Sequence, residues 1–152
     1  MQKARGEGEG EEEWWSPVVL PAEARRAAEA RRRAVTFAEV QRRGAMQQWR
    51  CRMCGAMFQG PYQLDHVIPF CLVGENTPVF AICGSCHDYK TRVEAAAIRR
   101  TRALLAEVAH PTFGVCFLCG DIISSYFLGA HRCRIREGDP YAHLRPSVGG
   151  RR

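Results

Sequence analysis

The chain has 152 residues and a formal net charge of +6; its basic residues are nearly all Arg, and its 46% apolar content leans on Ala and eight Cys rather than on large aliphatics. That excludes a large aliphatic core and leaves one ordinary domain or a small metal-stapled one, in which metal binding supplies part of the folding free energy. No apolar run reaches the ~20 residues of a membrane helix, and eight Cys without a secretion signal predict an intracellular chain, cytoplasmic or nuclear, whose thiols bind metal.

Residues 1–20 begin with a Gly/Glu run, GEGEGEEEWW, too polar to bury a core, and predict a disordered acidic tail. Its tandem Trp14-Trp15 suits docking on the folded part or on a partner. Residues 21–44 predict one Arg-rich helix: Pro21 fits the first turn and Gly44 the end, with Ala30, Ala34, Phe37 and Val40 as the packing face. Arg25, Arg26, Arg32 and Arg33 on the other side suit either a phosphate backbone or a solvated face with pairs such as Glu29–Arg33.

Residues 45–110 hold the informative segment. Two Cys-x-x-Cys pairs, Cys51/Cys54 and Cys83/Cys86, have the spacing of a closed tetrahedral zinc site. Between them a strand over 56–62, a Gly60-Pro61 turn and a strand over 63–70 carrying Asp65 and His66 are predicted, followed by a loop at Gly74-Glu75-Asn76. A helix is expected from about Ser85 to Ala109, with Val93, Ala97, Leu104 and Val108 on one face. Residues 111–145 begin again with Cys116-x-x-Cys119-Gly120, and His131 falls in register with His66. The match is either a degenerate second copy of the knuckle and hairpin or a chance coincidence. Ala130 stands in place of Asp65 and Tyr141 in place of Asn76. A second zinc would be held by Cys116, Cys119, Cys133 and either His131 or His143. Residues 146–152 form a basic tail.

The zinc ligands leave Asp65, His66, Asn76 and His87 spare. Asp65 supplies a hard oxygen and His87 a nitrogen for a divalent ion, while His66, on the other side of its strand, is placed to take a proton from water. Such a set suits metal-assisted attack on a phosphodiester. Asp65-His66-Val67-Ile68-Pro69, Gly74-Glu75-Asn76-Thr77 and Cys83-x-x-Cys86-His87-x-x-Lys90-Thr91 together resemble the HNH endonucleases. The resemblance covers residues 51 to about 95. It implies an α+β fold, a small zinc-stapled ββα-metal domain flanked by Arg-rich helices, acting on double-stranded DNA. It also implies His66 as general base, Asn76 as brace of the loop that orients it, Asp65 and His87 as ligands of one Mg2+ or Mn2+, and the four Cys as ligands of structural Zn2+. Lys90, Arg92, Arg99 and Arg100 are then the expected nucleic-acid contacts. Two departures stand out: Thr77–Ile82 is about two residues shorter than the family's usual run, and Phe70-Cys71-Leu72-Val73 replaces a more polar stretch. Cys71 reads as a small buried apolar residue or a spare zinc ligand. The reading from a different class is a zinc-stapled nucleic-acid-binding protein on the same scaffold without cleavage.

Overall fold

The computed structural model describes residues 16–131 together with Cys133, Tyr141 and Leu144. Along the chain they form β1 (Val18–Val19), α1 (Pro21–Glu29), α2 (Phe37–Met46), β2 (Tyr62–His66), α3 (Phe70–Val73), β3 (Val79–Cys83), α4 (Gly84–Val108), β4 (Phe113–Cys116), β5 (Ile122–Ser124) and a 3-10 stretch, Ser125–Ala130. The fold is mixed α+β, and no helix among the described residues is long and apolar enough to cross a membrane. The Gly/Glu run, Trp14-Trp15, His143 and the basic tail lie outside the described residues.

The centre is an antiparallel pair, β2 against β3, with Asp65 opposite Phe80 and His66 opposite Val79. α4 leaves β3 directly, giving a ββα unit. Side chains alternate across β2, so Leu64 and His66 face α2 while Asp65 faces α4. The long helix runs nearly where the sequence placed it, but its inner face does not. Its buried positions are Lys90, Glu94 and Thr101, with Ala97, Ile98 and Leu105 packed on the core, whereas Val93 is 39% exposed. The inner stripe is set by an ion pair rather than by the apolar residues that periodicity counts.

Four other expectations are corrected. The Arg-rich segment is two helices, because Thr36 caps a new one: its hydroxyl accepts from the Glu39 amide and Glu39 reaches back to the Thr36 amide at 2.8 Å. Three consecutive Arg at 31–33 lie in the irregular stretch that leads to that cap. The proposed packing face is thereby broken, and Phe37 is 78% exposed. Gly44 lies within α2, not at its end. A Cβ there would meet the Tyr62 hydroxyl and, at 2.9 Å, the Trp49 ring, so the close approach of α2 to β2 requires glycine. Residues 17–20 belong to the fold rather than to a tail: Val18 and Val19 are buried and pair with Cys116 and Val115. The strand expected over 56–62 reduces to a single Arg50–Met57 bridge, and the next strand stops at His66, after which Pro69 starts α3.

One apolar core runs through both Cys-rich regions. Val18, Val19, Cys51, Val67, Ile68, Leu72, Ile82, Phe117, Tyr141 and Leu144 belong to it, so the described residues beyond Pro111 share the core of the first Cys-rich region. α4 links the halves. The Arg100 guanidinium donates to the Phe117 carbonyl at 2.7 Å, and the Tyr89 hydroxyl donates to the Leu144 carbonyl at 2.8 Å.

Candidate functional site

Cys51, Cys54, Cys83 and Cys86 converge so that their sulfurs lie within 4.8 Å of one another. Four sulfurs at about 2.3 Å from a common ion stand about 3.8 Å apart, so the set fits tetrahedral zinc. The knuckle geometry follows from sequence: the Gly55 amide donates to the Cys51 carbonyl, the Cys51 amide donates to the Ala56 carbonyl, and Gly55 takes φ +78°. Burial opposes ionisation of Cys51, but amide donors from Cys54, Cys83 and Met53 outweigh it and bring the thiol down to about 7. Cys86 is pushed far up by burial and by its sulfur neighbours. On Cys54 the Ala56 amide lowers the pKa, but burial and Cys51 raise it and prevail. Thiols so crowded cannot all ionise unless a cation sits among them.

The second set is Cys116, Cys119, His131 and Cys133, again within 4.8 Å. Cys116 and Cys133 sulfurs are 3.8 Å apart, as are the Cys119 sulfur and His131 Nε2. Burial raises both Cys116 and Cys119. This cluster also fits a structural zinc; His131, one of the two histidines weighed as its fourth ligand, is gathered with the Cys, and His143 lies outside the described residues. The knuckle repeats the first one closely. Gly120 donates to Cys116 and Cys116 to Asp121 at the same 2.8 Å distances, Gly120 has φ +80°, and Val115–Ile122 pair where Arg50–Met57 do. The likeness ends at the knuckle, since a 3-10 stretch follows β5 and carries His131 to the metal cluster instead of into a second His66 position. Cys71 joins neither cluster and packs on the core from α3.

His66 is 15% exposed in its side chain, and its Nε2 lies 3.2 Å from Glu75 Oε2. The ring also meets Phe70 edge-on at 5.4 Å. It lines a cavity of about 200 Å³ together with Leu64, Val79, the carboxylates of Glu75 and Glu39, and Arg32, Arg33, Arg42 and Arg43. Sequence reasoning missed Glu75 as a partner of His66, although it stands in the quoted loop. Asn76, expected to brace that loop toward the base, instead donates to Glu23 Oε1 at 2.8 Å. It still fixes the loop, by tying it to α1.

The ion ligands expected at Asp65 and His87 find different surroundings. Lys90 Nζ lies 2.8 Å from Asp65 Oδ2, 2.7 Å from Glu94 Oε2 and 3.0 Å from the His66 carbonyl. At 2% exposure Lys90 is turned inward by these three acceptors, so the expected phosphate contact at Lys90 is corrected to a buried structural one. Tyr141, fully buried, sits over the same side: burial pushes its phenol up, then the Asp65 and Glu94 carboxylates, against Arg52. His87 stays 31% exposed at the first turn of α4, 3.9 Å from Asp88. Among the described residues, neither Asp65 nor His87 belongs to a group of three metal-type side chains. With one carboxylate oxygen already on an ammonium, this pair does not fit a resident divalent ion. Arg92 and Arg99 are exposed on α4, while Arg100 is spent on the carbonyls of the second knuckle.

No family model, no curated protein and no solved structure matches the chain.

Proposed function

We propose that the chain is an HNH-type endonuclease hydrolysing phosphodiester bonds of DNA, with His66 as general base. The observation that carries this is the His66–Glu75 pair set in the wall of an arginine-lined cavity. With Nε2–H directed at the Glu75 carboxylate, the imidazole lone pair is on Nδ1, which removes a proton from an attacking water; Glu75 steadies the imidazolium that results. Guanidiniums lining the cavity bind the phosphate and offset the charge that grows on its oxygens. The resemblance to HNH enzymes and the ββα order of β2, β3 and α4 support the reading. In such enzymes a divalent ion adds charge stabilisation at the phosphate; here no step is routed through one, because Asp65 is engaged by Lys90.

One observation favours the second reading, a nucleic-acid-binding zinc protein without cleavage: the Asp65–Lys90–Glu94 triad occupies the side where an ion would be held. The deciding experiment is nicking of supercoiled plasmid by zinc-loaded protein, with and without magnesium or manganese, beside His66→Ala of equal zinc content. Nicking lost in the variant supports the hydrolase. Salt-sensitive binding by both proteins with nicking by neither supports the binding protein.

A further inference from the structure

The cavity at His66 is not the end of the basic surface. A second cavity, of about 520 Å³, lies beside the first zinc knuckle, and Arg43, Arg50, Arg52 and Phe80 line it. Arg43 lines both cavities, from the end of α2 beside the free edge of β3, where the Gln47 side chain bonds the Ala81 backbone in both directions. The two hollows therefore share one lining residue, Arg43, at the edge of β3.

The charge along this path is left uncompensated. Among the described residues its ion pairs are Arg33–Glu39 and His66–Glu75, while Arg32, Arg42, Arg43, Arg50 and Arg52 enter none. Unpaired guanidiniums lining a concave surface repel one another, and a bound polyanion relieves that. Three of the five also lie against an aromatic ring. The Cζ atoms of Arg43 and Arg52 lie over the Phe80 ring, 5.9 and 5.2 Å from its centroid, and that of Arg32 lies 5.3 Å from the Phe70 centroid. A cation–π contact draws on the ring and consumes no N–H donor, so the guanidinium donors stay available to phosphate.

We infer that the two cavities form one track for an extended nucleic-acid backbone, running from His66 past Arg43 to the first zinc knuckle at Arg50 and Arg52. The inference rests on the nucleic-acid reading above and sharpens it: the ligand is a polymer rather than a mononucleotide. It also moves the main contact away from α4. Arg92 and Arg99 are exposed on α4 and line neither of these two cavities.

The test uses the full zinc-loaded chain carrying His66→Ala, so that binding is read without cleavage. Fluorescence anisotropy follows a labelled duplex of about 20 base pairs, the matching single strand and a strand of about four nucleotides across a salt series. Arg42→Gln/Arg50→Gln/Arg52→Gln is expected to weaken the long ligands about tenfold or more and to reduce the slope of log K against log salt by about 2 to 3. The short strand, spanning one cavity, is expected to bind far more weakly than the long ones and to respond little. Arg92→Gln/Arg99→Gln is expected to leave the slope within about 0.5 of the parent. Equal losses from both variant sets, loss from the α4 set alone, or equal binding of short and long strands would overturn the track. The two readings fail separately. Loss of binding in the triple variant, when the chain with His66 intact never nicks plasmid, leaves the track standing without the hydrolase; unchanged binding beside His66-dependent nicking does the reverse.

Discussion

Replacing Lys90 by Met tests whether this lysine is a structural cation or a surface contact. Its ammonium is shared by Asp65 at 2.8 Å and Glu94 at 2.7 Å, which holds the two carboxylate oxygens within about 5.5 Å of each other. The Glu94 and Lys90 side chains are 5% and 3% exposed, Asp65 17%. Methionine keeps the volume but removes the positive charge, leaving two carboxylates facing across a poorly hydrated space. Their repulsion at that separation is about 3 kcal/mol for an effective dielectric constant of about 20. Breaking a buried pair by deleting one partner costs about 3–5 kcal/mol in general. At a urea dependence of about 2 kcal/mol per molar, the unfolding midpoint should fall by on the order of 2 M, measured by circular dichroism at fixed free zinc. Lys90→Met/Glu94→Leu, which removes the more buried of the stranded carboxylates, should recover more than half of the loss. A loss below about 1 kcal/mol, accompanied by weaker DNA binding, would refute the argument and return Lys90 to the surface role expected from sequence.

Other substitutions probe separate parts of the fold. Gly44→Ala should cost about 1–3 kcal/mol in the same urea assay, since its methyl group meets the Tyr62 hydroxyl and the Trp49 ring. Cys119→Ser should lower bound zinc from two ions per chain to one by mass spectrometry and speed amide exchange in β4 and β5, leaving the first site filled. The Glu39 carboxyl is held down to about 2 by the Thr36 amide, then by Arg33 and the Thr36 hydroxyl. Because its folded pKa lies below the ordinary 4.5, its contribution to the start of α2 is present above 4.5 and lost as pH falls toward 2. Glu39→Gln should flatten that part of the acid titration, followed by NMR shifts at Thr36 and Phe37.

Much of this was legible in the chain because it is local. A Cys-x-x-Cys-Gly knuckle prescribes its own turn, and both knuckles form as their sequence demands. α4, a long run between the second Cys pair and Pro111, was readable within a residue or two. What escaped depends on distant partners. Val18 and Val19 join the fold only because β4 offers an edge. Gly114 lets them approach, since a Cβ there would lie 2.6 Å from Val18. The Thr36–Glu39 cap was present in the sequence and outweighed by alanine content. At the candidate site, His66 lines a cavity and meets Glu75, a partner in the following loop that no local pattern pairs with it. Lys90 did not keep the surface: hydropathy places a lysine outside, and only the three acceptors around it bring it in.

α4 makes these features interdependent. Its first turn supplies Cys86 to the first cluster, its second and third turns hold Asp65 through Lys90, and Arg100 grips the carbonyls of the second knuckle. The helix is thus the rigid part against which β2, and with it His66, is positioned; His66 is fixed from behind by the Lys90 bond to its carbonyl. Asp65 is where the two functional readings part. Its Oδ2 is already neutralised at 2.8 Å by a buried ammonium that Glu94 also holds, so a divalent ion placed there would add a second cation beside the first. Both charges are retained together only if a phosphate supplies further negative oxygens. An ion at this position is therefore expected to bind with the nucleic acid rather than ahead of it. Magnesium titrated into the nucleic-acid-free protein should leave the Asp65 carboxylate resonance unmoved, while the same titration in the presence of a duplex should shift it. A shift without nucleic acid would show that Asp65 leaves Lys90 for the ion unaided, and would overturn the assignment of Lys90 as its standing partner.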